Sequence, residues 1–242
     1  MVVLSALYFS LFYSGVQIKN ILVSGNDKVR LQDLKSTVSE NSSTTLFKLW
    51  NFKIISDSIF LADNNKIEKQ VLQKFPKIET ANVNKKYPQT LELQIAERKP
   101  VAVFCDNNEN GCFLIDNTGV IFETSNDLSG DFVIVRQALE NKNSYVGDNI
   151  VAKNTVSDIL QIQKDLKDNF NISISEALIS SPIRLNVKTA GNWQIYFDLS
   201  GESDINSQLL KLNALLGGDI NPSVQKTLQY IDLRFKDRAY YK

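Results

Sequence analysis

A chain of 242 residues, 43% of them hydrophobic, is long enough to bury two cores, and its 27 lysines and arginines are matched by 27 aspartates and glutamates. Zero formal charge leaves no basic footprint of the kind that nucleic-acid binders carry. There is no histidine, which removes the commonest general base and metal ligand. Neither a glycine-rich phosphate loop nor a Gly-x-Ser-x-Gly elbow occurs, and two cysteines would need two carboxylates to close a zinc site. The expectation is a binding protein with no cofactor, no bound metal and no small-molecule substrate, rather than an enzyme.

Residues 1–18 carry no charge and include Val2, Leu4, Leu7, Phe9, Leu11, Phe12 and Val16. As a helix this run is about 27 Å long, at the short end for a membrane span. It predicts a transmembrane anchor over 1–18, with a cleaved signal peptide or a buried soluble helix as the alternatives. A signal peptide would want basic residues ahead of the apolar run, and there are none. The nearest cations, Lys19, Lys28 and Arg30, follow the run, which by charge alone would leave the body cytoplasmic. The missing charges predict instead that a basic segment precedes Met1 in the full protein.

From Ile18 to Gly25 the pattern reads as a strand with Ile21 and Val23 on one face, closed by Gly25-Asn26. Leu31, Leu34 and Val38 then fall on one helix face. After a polar break at 41–45, residues 46–61 are apolar without clean periodicity and stay unassigned. A second helix is predicted near Asn65, with Glu68 as a capping-box partner and Ile67, Val71, Leu72 and Phe75 inward, ending at Pro76. Ile78–Lys86 and Gln89–Glu97 are strands separated by Tyr87-Pro88, the second alternating strictly through Leu91, Leu93 and Ile95. The Lys85-Lys86 pair is read as a solvated strand end. Strand, helix, helix, strand, strand gives a small sheet with two helices on its apolar face.

These residues carry a resemblance. Ile21-x-Val23-x-Gly25-Asn26, Phe75-Pro76-x-Ile78, Tyr87-Pro88-x-Thr90-Leu91 and Glu97-Arg98-Lys99-Pro100-Val101-Ala102 resemble the POTRA domain of the FtsQ/DivIB division proteins. Residues 46–58 depart from it as an insertion between the helices, and Lys77 stands where the family often has an aromatic.

Beyond residue 100 short strands dominate. Val101–Cys105 and Cys112–Asp116 form a hairpin, Asn117-Thr118-Gly119 turns into Val120–Glu123, and Phe132–Arg136 is another strand. A helix is predicted from Asn154 to Phe170 with Ile159, Ile162, Leu166 and Phe170 on one stripe. Ile183, Leu185 and Val187 alternate, Ala190-Gly191-Asn192 turns, and Trp193, Ile195, Phe197 and Leu199 alternate back. A last helix carries Ile205, Leu209, Leu212 and Leu216 and is expected to stop at Gly217-Gly218. One strand is predicted from Ile231 to Tyr241, with Asp232, Arg234 and Lys236 on its wet side. Phe113-Leu114-Ile115-Asp116-x-x-Gly119 and Ile231-Asp232-Leu233-Arg234-Phe235 extend the resemblance to the family's C-terminal β domain.

The fold expected is therefore α+β: an N-terminal transmembrane helix over 1–18, a β-α-α-β-β POTRA domain over 19–99, and an antiparallel-sheet domain with two helices over 100–242. The resemblance implies a single-pass scaffold of the plasma (inner) membrane at the division septum, its C-terminal body extracytoplasmic. It also implies divisome membrane proteins of the FtsB and FtsL type as partners. By position it places partner contacts at Phe235, Asp237, Arg238 and Tyr240, and a recruitment surface at Thr80, Val83 and Lys85, although Val83 reads equally well as core. Residues 237–242 are expected to add little to stability. An extracytoplasmic body would allow Cys105 and Cys112, which flank one hairpin loop, to form a disulfide; two separate thiols are the alternative. Two rival readings remain. A POTRA protein of an outer-membrane or secretion assembly would need many roughly ten-residue barrel strands, and a surface hydrolase would have to use Asp198, Glu202 and Asp204, which more simply cap the helix near Ser203.

Overall fold

The structure, a computed structural model, describes residues 8–50, 52–106, 111–125, 132–138, 143–220 and 222–242. It divides into two compact units, one running to Arg98 and the other from Lys99 to Lys242. Residues 8–12 are helical, but from Tyr13 onward the chain turns and is bonded into the first unit, through Ile18 N–H to Asp57 O and the Gln17–Ser58 bridge. Of the predicted anchor, residues 1–7 lie outside the described residues, and no helix among the described residues is long and apolar enough to cross a membrane.

The first unit contains β1 (Asn20–Ser24), α1 (Leu31–Ser42), β2 (Thr44–Leu49), β3 (Phe52–Ser56), α2 (Asn64–Lys74), β4 (Ile78–Lys86) and β5 (Thr90–Glu97). Its three-stranded sheet has the order β1-β5-β4, with β1 parallel and β4 antiparallel to the centre. β5 is central because its alternation drives Leu91, Leu93 and Ile95 into the core, where Leu34, Val38, Ile67 and Val71 of the two helices meet them. Leu31 is 43% exposed and Thr37 is buried in its place, so the α1 stripe is rotated from the predicted one. Residues 46–61, left open by their lack of period, supply the β2–β3 hairpin, a separate two-stranded sheet. The expected capping box on α2 does not form. Asp63 caps the helix by accepting from Lys66 N–H at 3.1 Å, while Glu68 reaches across to the Val83 N–H at 2.7 Å.

The second unit is built on one nine-stranded sheet, in the order β14-β13-β12-β11-β10-β9-β6-β7-β8. Its strands are β6 (Ala102–Cys105), β7 (Cys112–Ile115), β8 (Ile121–Ser125), β9 (Ile134–Gln137), β10 (Ile174–Ser181), β11 (Arg184–Thr189), β12 (Gln194–Asp198), β13 (Tyr230–Asp232) and β14 (Tyr240–Tyr241). The sheet is mixed rather than antiparallel: β9 runs parallel to both β6 and β10, and β12 parallel to β13. Parallel neighbours need crossovers. α3 (Lys153–Phe170) makes the one between β9 and β10; α4 (Ile205–Ala214) and the short α5 (Pro222–Gln225) make the one between β12 and β13. Ile159, Ile162 and Leu166 of α3 and Leu209 and Leu212 of α4 pack on Val135, Ala177, Leu185, Val187, Ile195 and Phe197. The last helix does not stop at Gly217-Gly218. It widens into a π turn over Leu215–Asp219 that still delivers Leu216 to the core.

Two motifs of the sequence gain a physical reason. Gly25 has φ +86, and a Cβ there would lie 1.9 Å from the Ile95 carbonyl oxygen. The loop that follows it is held by Glu97, whose carboxylate accepts from the N–H groups of Asp27 (2.8 Å), Lys28 (2.9 Å) and Val29 (2.9 Å). Arg98 donates through Nε to Pro76 O at 3.0 Å, so adjacent residues clip the entry of α1 and the exit of α2. Burial works against the Glu97 charge, but the three backbone donors, helped by Lys28, hold its carboxyl below the ordinary 4.5. A lowered folded-state value contributes stability above the unfolded pKa, and that stability is lost as pH falls through the folded value. Glu97→Gln is expected to cost about 1–2 kcal/mol at neutral pH, with a difference from the parent that shrinks as the buffer is acidified below the ordinary glutamate range. Urea unfolding of both chains at several pH values measures this, and a difference independent of pH would contradict it.

Candidate functional site

The C-terminal rim of the second unit brings together the residues of the predicted docking strand, though not as one strand. β13 is only Tyr230–Asp232; a loop follows, and β14 folds back antiparallel on β13, pairing Ile231 with Tyr241 and Asp232 with Tyr240. The cause lies in the side chains. Leu233 is buried, and Asp232 is buried too, where the alternation had placed it on the wet side. Arg234 holds the Asp232 carboxylate in a fork, Nε to Oδ1 at 2.8 Å and Nη2 to Oδ2 at 2.6 Å, with its own N–H as a third donor. Burial alone would push the Asp232 carboxyl up, but the Arg234 hydrogen bonds outweigh it and the net shift is downward, with Arg184 contributing.

Past Arg234 the chain leaves the ladder and is caught from outside. Lys211 of α4 donates its Nζ to the carbonyls of Leu233, Phe235 and Lys236. Burial lowers the Lys211 pKa, against the pull of Asp237 and Asp198. The tail is not loose. Tyr240 and Tyr241 pair with β13, Lys242 exchanges backbone bonds with Gln229 and Tyr230, and Ala239 packs against the core, so the last four residues are tied to the domain. What remains outward is Phe235 and Tyr240, edge to face at 5.2 Å, and Arg238, whose guanidinium reaches the Tyr240 hydroxyl at 3.4 Å. Asp237 is exposed beside them. Arg184 and Arg234 both stand over the Tyr196 ring, at 4.9 and 5.5 Å, and Tyr230 lies 5.7 Å from it. This arginine–tyrosine row was not singled out from the sequence. Alternation placed Tyr196 on the wet face, but only the β12–β13 register brings Arg234 to it.

On the first unit, Thr80, Val83 and Lys85 do not share a face. Val83 is core, Thr80 points to solvent, and the Lys85 Nζ lies 3.4 Å from Phe60 O. β4 is an edge strand, yet at Val83 its outward backbone is already met, the N–H by Glu68 and the carbonyl by Asn64 at 2.7 Å. Cys105 and Cys112 occupy paired positions of β6 and β7 and are joined by a disulfide, Cα to Cα 4.2 Å. Two of the three carboxylates weighed for hydrolysis are engaged locally: Asp204 caps α4 through Ser207, and Asp198, rather than capping the helix, binds the N–H and hydroxyl of Ser200. Asp116 and Gly119, at the entry to the domain, make a turn in which Asp116 accepts from Thr118 and Val120 N–H groups. Among the described residues no group of His, Cys, Asp and Glu could hold a metal ion.

A β-α-α-β-β unit followed by a long mixed sheet ending on a short edge strand defines a POTRA domain joined to a second, sheet-rich domain. Residues 53–98 match the FtsQ-type POTRA domain, and residues 103–234, more than half the chain, match the C-terminal domain of cell division protein FtsQ/DivIB. The chain is 25% identical to cell division protein DivIB of Clostridium acetobutylicum over 236 residues, 97% of this chain and 83% of that one. It is also 25% identical to cell division protein DivIB of Clostridium botulinum over 145 residues, 50% of this chain and 56% of that one. The chain belongs to the FtsQ/DivIB family of cell-division proteins.

The rim depends on one buried side chain of α4. Gln208 accepts from Asp198 N–H at 2.8 Å and donates to the carbonyls of Asp198 and Ser203, both at 2.9 Å. Gln208→Leu strands three backbone groups and is expected to cost about 2–4 kcal/mol. Chemical denaturation measures the loss, and a change within experimental scatter would mean that water replaces the amide.

Proposed function

We infer that this chain is a membrane-anchored, extracytoplasmic scaffold of the divisome, organised as an anchor in the apolar run of 1–18 (whose residues from Tyr13 on join the first unit), a POTRA domain over 19–99 and a β domain over 100–242. It recruits and couples division proteins of the FtsB and FtsL type at the septum of the plasma membrane. The observation that carries this reading is the end of the sheet order: β14 is a last strand of two exposed residues, beside the outward cluster of Phe235, Arg238 and Tyr240. An edge strand offers unpaired backbone groups that a partner strand can complete, and stiff amphipathic aromatics beside an arginine are the side chains that concentrate binding energy. Asp237 and Arg238 add charges of both signs at the rim, which select among partners more than they add affinity.

Recruitment through β4 belongs to the same reading, but in a restricted form. With Val83 buried and its backbone held by Glu68 and Asn64, contact there would rest on the exposed Thr80 and the half-buried Lys85 rather than on strand addition. Lys85→Glu is then a change of surface charge that leaves the core intact.

Two measurements test the proposal. Because residues 240–242 carry ladder bonds, point variants are cleaner than truncation. Tyr240→Ala is expected to weaken binding of the extracytoplasmic segment of the FtsB-type partner by about tenfold, ~1.4 kcal/mol, with an unchanged thermal midpoint. Equal affinity for parent and variant would place the docking surface elsewhere. For the cysteines, thiol titration of the unreduced, unfolded chain should find no reactive group; finding both would refute the disulfide.

A further inference from the structure

The β2–β3 hairpin is not needed to close the first unit's sheet, and among the described residues it contributes none of that unit's buried hydrophobic core. What it displays is unusual for a solvated hairpin. Trp50, at the turn, is 94% exposed, Phe47 is 52% exposed and Ile55 46%. Trp50 also has φ 48, a left-handed position where asparagine or glycine would serve the turn better. Neither folding nor the docking rim accounts for a tryptophan there.

Charge and connection point to what would cover it. Between Thr44 and Ser56 the only ionisable groups are Lys48 and Lys53, directly opposite each other in the register and both exposed. Like charges facing across a ladder cost stability in water, and that cost is relieved where anions lie against them. The base of the hairpin is tied to the end of the apolar N-terminal run, Ser56 Oγ donating to Leu11 O and Ser58 Oγ to Ser10 O, both at 2.6 Å. Whatever holds that run therefore lies beside the hairpin.

We propose that the β2–β3 hairpin is a second membrane contact, laying Trp50 and Phe47 into the interfacial layer of a bilayer whose anionic lipid phosphates face Lys48 and Lys53. Indole and phenyl groups partition to the headgroup layer, where the ring is out of water and the indole N–H keeps a partner. Basic residues near the surface are attracted by anionic lipid and lose that attraction within a Debye length. The inference rests on the reading of residues 1–18 as an anchor, and it adds a fixed orientation of the first unit at the bilayer surface.

The test uses the full chain reconstituted with phosphatidylcholine–phosphatidylglycerol vesicles. Flotation reports the anchor; tryptophan fluorescence reports the hairpin. The chain has two tryptophans, and Trp193 is buried, so subtracting the signal of Trp50→Phe isolates Trp50. The Trp50 emission is expected to be blue-shifted and quenched by lipids brominated near the headgroup. Lys48→Glu with Lys53→Glu should lose most of that quenching while the chain still floats. A floating chain whose Trp50 emits as in water, unquenched by lipid, overturns the hairpin contact and leaves the anchor standing. A chain that does not float overturns both. Trp50 shielded from aqueous iodide without lipid quenching also overturns the proposal, assigning the hairpin to a protein surface instead.

Discussion

A strand at the border of a sheet carries a row of unpaired backbone donors and acceptors, and everything at the rims of these two domains follows from how that row is dealt with. On the first unit, β4 has its outward N–H and carbonyl at Val83 taken by Glu68 and Asn64. On the second, β13 is covered by β14, the departing loop is held by Lys211, and the exposed ladder is cut to two residues. At Val83 and at the departing loop the device is a polar side chain from a neighbouring helix, set where another strand would otherwise have to sit. Covering these two edges resists pairing between copies of the chain along them, while the two residues of β14 leave a short stretch open.

Those rims are only as rigid as the middle of each sheet. β5, at the centre of its sheet, and β9, inside the larger one, both have parallel neighbours, so both depend on contacts made far apart in sequence. β9 joins two otherwise separate sets of strands, with Val135 buried between Phe104 and Ala177. Its neighbour β10 reinforces the junction through the Arg136–Glu176 pair at 3.1 Å, a half-exposed contact worth little in isolation but well placed to fix register. In the first unit the Glu97 and Arg98 contacts do comparable work at the helix ends, which explains why that acidic–basic pair closes the domain.

Most of this architecture was legible where side chains alternate strictly or recur at helical spacing. Leu91, Leu93 and Ile95, the α3 stripe, and the Leu185-to-Phe197 hairpin all read correctly because burial alone decides their period. β10 was missed because its inward residues include Ala177, too small to mark a face. The β2–β3 hairpin was missed because a register shift between Thr45 and Phe47 breaks the alternation. At the rim the error was different in kind. Alternation assigned Asp232 to water, whereas Arg234, two residues on, makes its burial tolerable through a forked pair. Polar groups that are buried with a partner look the same in sequence as polar groups that are solvated. Likewise, Lys211 and Gln208 read as ordinary helix residues, and nothing local reveals that they complete a strand.

Gln208 has a consequence for length. The N–H and carbonyl of Asp198 are the next open positions on β12 after the one that receives Leu233, and the glutamine amide fills both. It behaves as a substitute peptide unit set across the path of β13, so the terminal strand has no vacant slot to grow into and turns away. The sheet's border is thus measured off by a helix: α4 carries the gauge that fixes where pairing ends, and with it the point at which the last residues of the chain swing outward.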